Sequence, residues 1–164
     1  MTWGEDMGNT GSEADRLLIE EIKAGNEERS RRLIEDGADP NSTDEEGLSA
    51  LHWAVLLRRT ATTGLLIKSG ANVNADNGRG DTTIHMAAAA GNIGLMKKLM
   101  KAGADLYATD NSGADPLYVL KIFKYGKYIK YSKELMKLDM KIKNDTLKHE
   151  DSRRKTSTGY EFDI

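Results

Sequence analysis

The run Asn77-Gly78-Arg79-Gly80-Asp81-Thr82-Thr83-Ile84-His85-Met86-Ala87-Ala88 carries three signals in close succession. Gly78 and Gly80 in polar company mark a tight turn. Thr82 has the short hydroxyl that caps a helix N-terminus. The residues from Ile84 to Ala90 then supply small apolar side chains for a short helix. The same order recurs as Asp44-Glu45-Glu46-Gly47-Leu48-Ser49-Ala50-Leu51-His52-Trp53-Ala54, and again from Asp110 to Leu117. Equivalent positions lie thirty-three residues apart: Gly47, Gly80 and Gly113; Ser49, Thr82 and Asp115; His52, His85 and Tyr118. Leu51, Ile84 and Leu117 form a further column, with Leu18 one step earlier.

The rest of the period reads as a second helix and a turn. Gly91-Asn92 and Gly25-Asn26 break the chain after a first helix. Apolar residues at helical spacing follow, such as Leu65, Leu66 and Ile67, then Leu95, Met96, Leu99 and Met100. Gly37, Gly70 and Gly103, each before Ala, close these helices where a left-handed residue is wanted. The stretch from Asn72 to Gly80 is rich in Asn, Asp and Gly and reads as a turn or hairpin. One helix pair cannot bury its apolar face alone, whereas stacked neighbours can. Pro116 follows the Asp115 cap, at the helical position where its missing N–H is harmless.

These residues resemble the ankyrin-repeat family. Asp44-x-x-Gly47-x-Ser49-Ala50-Leu51-His52-x-Ala54 and Asn77-x-x-Gly80-x-Thr82-Thr83-Ile84-His85-x-Ala87-Ala88 are similar to the family's D-x-x-G-x-T-P-L-H-x-A. Gly70-Ala71-Asn72-Val73-Asn74 and Gly103-Ala104-Asp105-Leu106 match its G-A-D-V-N. The resemblance implies an all-α fold, a solenoid of stacked helix-turn-helix units joined by hairpin-like loops. Expected units are 15–43, 44–76, 77–109 and 110–143, the outer two atypical as capping demands, between a flexible acidic arm (1–14) and a flexible tail (144–164). The chain also departs from the pattern. Arg58-Arg59 replaces the usual Gly break, Lys124-Tyr125-Gly126 reads as an insertion, and Asp139-Met140-Lys141-Ile142 as a worn terminal hairpin.

Composition narrows the function. The formal net charge is -2 and there is no cysteine. Disulfides, thiolate nucleophiles, zinc fingers and iron–sulfur clusters are excluded, and an intracellular setting, cytoplasmic or nuclear, is expected. Apolar runs such as Met86 to Ala90 stop at five residues, far short of a membrane span. The start has neither a basic patch nor an apolar stretch, so no signal or transit peptide is expected. Charge is uneven: net -9 over residues 1–50, +3 over 51–110 and +4 over 111–164.

No catalytic set emerges. Ser49 with His52 is repeated by Thr82 with His85, and a repeated feature is architecture. The family resemblance gives both histidines a structural slot beside the capping hydroxyl. No Gly-Lys-Ser/Thr follows Gly78-Arg79-Gly80, so there is no phosphate loop. No metal, cofactor or small-molecule substrate is expected, and His149 has no companion ligands.

The expected function is a non-catalytic protein-interaction module, an adaptor or inhibitor acting as a monomer. The resemblance places its site on hairpin tips and first helices. The matching positions are Glu45, Glu46, Leu48, Arg79, Asp81 and Asn111 on the tips. Leu56, Leu57, Ala89, Ala90, Ile122 and Phe123 are their counterparts on the helices. This apolar row either forms a partner site anchored by Phe123, or packs internally, or lies under the C-terminal tail. The alternative is a nucleic-acid or anionic-membrane binder using the Lys-rich segment 121–143. Its lysines, taken at a spacing of three, are expected to drift round a helix rather than form one stripe. Arg153-Arg154-Lys155-Thr156 resembles a basophilic kinase site, and Phe162-Asp163-Ile164 a PDZ ligand.

Overall fold

Reciprocal caps start the first helices of the two middle units. The Ser49 N–H donates to His52 Nδ1 at 3.1 Å, while the His52 N–H donates to Ser49 Oγ at 3.2 Å. Thr82 and His85 repeat the arrangement, with Thr82 N–H to His85 Nδ1 at 3.2 Å. In the last unit Asp115 Oδ1 accepts from the Tyr118 N–H at 2.6 Å and Pro116 opens the helix. The computed structural model describes residues 13–123 and 127–157, with side chains to Glu150 and at Arg153. The helices within them are α1 (Glu13–Ala24), α2 (Glu27–Glu35), α3 (Ala50–Leu56), α4 (Thr60–Lys68), α5 (Thr83–Ala89), α6 (Ile93–Lys101), α7 (Pro116–Phe123) and α8 (Tyr128–Ser157).

Left-handed residues separate the elements. Gly37, Gly70 and Gly103, at φ 99°, 90° and 97°, end α2, α4 and α6. Gly25 and Gly91 turn the chain inside the first and third units, and in the second Arg58 holds the same corner at φ 57°. The connecting loops are hairpin-like, with single bridges Thr43–Ser49 and Asp76–Thr82.

The odd-numbered helices stack α1 on α3 on α5 on α7 as an inner layer, and α2 packs on α4 and α6 on α8 outside them. Leu18, Leu51, Ile84 and Leu117 run through the inner layer as one buried column. Ala54 and Ala87 are fully buried beside it, small enough for close approach of the helices. Each buried Leu or Ile contributes about 1.5–3 kcal/mol relative to exposure, so the seam supplies most of the cohesion. Between α4 and α6 a cleft remains, lined by Thr60, Thr63, Gly94, Leu95, Arg58 and Lys98.

The fourth unit departs from the expected plan. Residues 139–142 form no hairpin, and residues 144–157 are not a tail: α8 runs unbroken from Tyr128 to Ser157. The reason is the missing stop. Met136 stands in the column of Gly37, Gly70 and Gly103, and Asp139 if 124–126 counts as an insertion. Without a left-handed residue the helix continues. At the other end α1 begins at Glu13, and the remainder of the arm, with Trp3, lies outside the described residues.

Candidate partner-binding surface

The histidines are ties between units. Each Nδ1 accepts the N–H of its cap residue, so the ring is neutral with its hydrogen on Nε2. That Nε2–H donates forward, from His52 to the Asp81 carbonyl at 3.3 Å and from His85 to the Ala114 carbonyl at 3.2 Å. Both rings are buried, and burial pushes the His52 pKa down against the pull of the Asp81 carbonyl. Among the described residues no group of three or more His, Asp or Glu is placed to hold a metal ion.

The loop tips are built by one side chain per unit. Asp44 Oδ1 accepts the N–H groups of Glu46 and Leu48, at 3.1 and 3.0 Å. Asn77 does the same for Arg79 and Asp81, and Asp110 for Ser112 and Ala114. Asparagines then stitch neighbouring units. Asn41 Oδ1 accepts the Asn72 N–H at 2.7 Å, and Asn74 Oδ1 accepts the Asp105 N–H at 2.8 Å. At the last tip the Asn111 N–H donates to the Arg79 carbonyl at 3.0 Å. The tips therefore form one continuous, preorganised edge.

At the foot of the second unit's tip lies a cluster that the spacing did not disclose. Asp44 Oδ2 receives Trp53 Nε1–H at 2.7 Å and Lys23 Nζ at 2.9 Å, and Lys23 Nζ sits 4.1 Å from the Trp53 ring centroid. Burial raises the Asp44 pKa, but the hydrogen bonds from Lys23, Trp53 and the Leu48 N–H, with the Lys23 charge, together outweigh it and leave the carboxyl below its ordinary value. The cluster ties α1 to the second unit. The available signal was the pairing of Trp53 and Asp44 in columns otherwise held by Met86 and Val119, and by Asn77 and Asp110.

The structure places the expected site residues as follows. Glu45, Glu46 and Arg79 are exposed at the tips. Asn111 is exposed too, although its backbone and side chain hold the neighbouring tip. Leu48 and Asp81 are half-buried, and the Asp81 carbonyl faces His52. On the helices Leu56, Ile122 and Phe123 are 53%, 50% and 60% exposed, and Ala90 is exposed. Leu57 and Ala89 are half-buried. Leu56, Ala89 and Ile122 share a column, as do Leu57, Ala90 and Phe123, so the row sits at the C-terminal ends of stacked inner helices. Internal packing of Leu56, Ile122 and Phe123 is thus ruled out.

The other alternative, cover by the C-terminal tail, falls on residues 158–164, outside the described residues. Phe162-Asp163-Ile164 lies outside the described residues, as does the 124–126 insertion. Thr156 falls on the last turn of α8, its side chain beyond the described part.

The drift expected for the lysines does not occur within α8. Lys130, Lys133, Lys137 and Lys141 follow steps of three, four and four, which keeps them on one side of the helix. All four are exposed. Lys143 points elsewhere, paired with Asp139 at 2.8 Å and 5.1 Å from the Tyr107 ring centroid.

Among the described residues no helix is long and apolar enough to cross a membrane. A comparison with curated proteins gives no match. The family model for ankyrin repeats in three copies matches residues 18–110, more than half of the chain. With the thirty-three-residue period, the capping histidines and the two-layer stack on the same residues, this chain belongs to the ankyrin-repeat family.

Proposed function

We propose that the chain is a non-catalytic adaptor or inhibitor that engages a partner protein through its inner helix ends and loop tips. Ankyrin repeats generally mediate protein–protein interaction and are generally non-catalytic. The observation that carries the finer reading is the exposed row of Leu56, Ile122 and Phe123 beside a rigid polar edge. Apolar side chains held on a preformed surface bind without paying for ordering, and an aromatic anchor dominates such sites. Lack of cysteine suits a reducing compartment, cytoplasm or nucleus.

The test is affinity purification from the native cell with the full chain, then with Leu56→Glu and Phe123→Glu, folding being checked by circular dichroism. Loss of the same partner in both folded variants supports the site. A full partner list retained by both folded variants overturns it.

A further inference from the structure

The solvent side of α8 is more ordered than its sequence suggests. Ile129, Met136, Met140 and Leu147 are all exposed and follow steps of seven, four and seven. At about 100° per residue they fall within about 20° of one line, over about 27 Å of helix. Lys130, Lys133, Lys137 and Lys141 lie along one flank, between about 40° and 120° from that line. On the other side Ser132, Leu135, Leu138 and Ile142 pack on the stack. The apolar line also borders the open end of the solenoid. His52 and His85 reach forward to carbonyls of the following unit, and Tyr118 in their column is 52% exposed because no unit follows among the described residues.

We propose that this face docks an acidic amphipathic helix of another protein, its apolar row against Ile129, Met136 and Met140 and its carboxylates along Lys130, Lys133, Lys137 and Lys141. A single row at steps of seven and four fits the seam of one partner helix. The continuous run of cations on one flank selects a partner negative on the facing side.

Other occupants fit less well. An antiparallel pairing of α8 with its own copy would set one lysine row against the other. Head-to-tail stacking would need an apolar N-terminal end. There several of the exposed acids are engaged at home, Glu28 with Arg31 and Arg32, Glu35 with Arg31, and Glu20 with Arg16. Every large exposed apolar residue among those described comes after Val55. A bilayer would favour free cations on both flanks, yet on the second flank Lys143 is paired with Asp139 and Glu150 adds a negative charge. Single-stranded nucleic acid would want aromatic platforms, and this line holds none.

The experiment uses the full chain and two synthetic helical peptides, each long enough for about 27 Å of helix. Both carry leucine along one face, flanked by glutamate in one and by lysine in the other. Fluorescence anisotropy at low and moderate salt is expected to show binding of the glutamate peptide alone. Lys133→Glu with Lys137→Glu should weaken it at least about tenfold and admit the lysine peptide. Met136→Glu should weaken it as well, while Phe123→Glu leaves it unchanged, which separates this face from the inner-helix site. All variants are checked by circular dichroism.

The proposal is overturned if the wild-type chain binds both peptides alike or neither. It is equally overturned if the folded double lysine variant keeps full affinity. Two further results would reassign the face: phosphatidylserine vesicles or single-stranded RNA outcompeting the glutamate peptide, or a sedimenting dimer that Met136→Glu dissolves.

Discussion

Replacing Gly80 by Ala should destabilise the stack far more than the same change at Gly47 or Gly113, although all three occupy one column. The backbone demand is common to them, with φ at 80°, 81° and 81°. An L-residue there is penalised by about 1–2 kcal/mol, partly offset by reduced freedom of the unfolded chain. The surroundings differ. A Cβ on Gly80 would stand 2.8 Å from both the Asn111 nitrogen and the Asp110 Cα, whereas on Gly113 it meets nothing within 4 Å and on Gly47 only Asn77 atoms at 3.7 and 3.9 Å. Backbone cannot rotate aside as a side chain does. The last tip must therefore shift, with about 1–3 kcal/mol of overpacking strain and weakening of the Asn111–Arg79 hydrogen bond. The expected losses are about 1 kcal/mol for Gly47→Ala and Gly113→Ala and about 2–4 kcal/mol for Gly80→Ala. For a chain of this size 1 kcal/mol moves Tm by about 2–4 °C, so the separation is measurable. Circular dichroism melts and urea titrations of the three variants provide the assay. Because end units of a linear stack can unravel alone, Gly47→Ala is the fairer control. A Gly80→Ala protein as stable as Gly47→Ala would refute the claim that the tips meet in backbone contact.

Two further outcomes follow from the same packing. Arg58→Gly should raise Tm by a few degrees, since it relieves about 1–2 kcal/mol of left-handed strain against about 0.5–1 kcal/mol of added chain freedom; calorimetry showing a lower Tm would mean that the arginine contributes more than its backbone loses. The folded-state pKa of His52 lies below its ordinary 6.5, so the unfolded chain binds the extra proton. Its contribution is complete above about 6.5 and is lost as pH falls below that value toward the folded pKa. Melts between about pH 8 and about pH 5 should show Tm falling on the acid side, and His52→Gln should flatten the fall; an unchanged slope would place the titrating group elsewhere.

The repeat was legible because its signals are local and redundant. A cap, a histidine three residues later and a closing glycine each predict one geometry, and Ser49, His52 and Gly70 deliver it. What the sequence hid depends on meetings between units or on absences. Lys23 and Asp44 are twenty-one residues apart, and nothing local marks their shared contact with Trp53. The α8 extension follows from a glycine that is not there. A helix needs no signal to continue, so polar residues after Asn144 read as a tail. The lysine row is obscured because residues 121–143 span two helices. Lys121 belongs to α7, and the regular steps begin inside α8. The apolar row at Leu56, Ile122 and Phe123 was visible by column, but its exposure depended on the third dimension.

The two ends of the stack are built on opposite principles. At the first, α1 and α2 close the seam with charges that pair among themselves, and Lys23 fastens them to Asp44. Among the described residues that end exposes no large apolar side chain. At the last, Leu120 and Leu135 are fully buried and Lys97 pairs with Glu134, so the unit is anchored from behind. Tyr118 on α7 and Met136 and Met140 on α8 are still exposed to solvent. In a linear array each unit is held by its neighbours, and a terminal unit has one neighbour fewer. A ligand bound along α8 would add contacts there and raise the stability of that end by mass action. The residue that fails to stop α8 therefore has two consequences. It removes the hairpin that would have begun another unit, and it leaves the helix long enough to present an apolar line and a lysine row to something outside the chain.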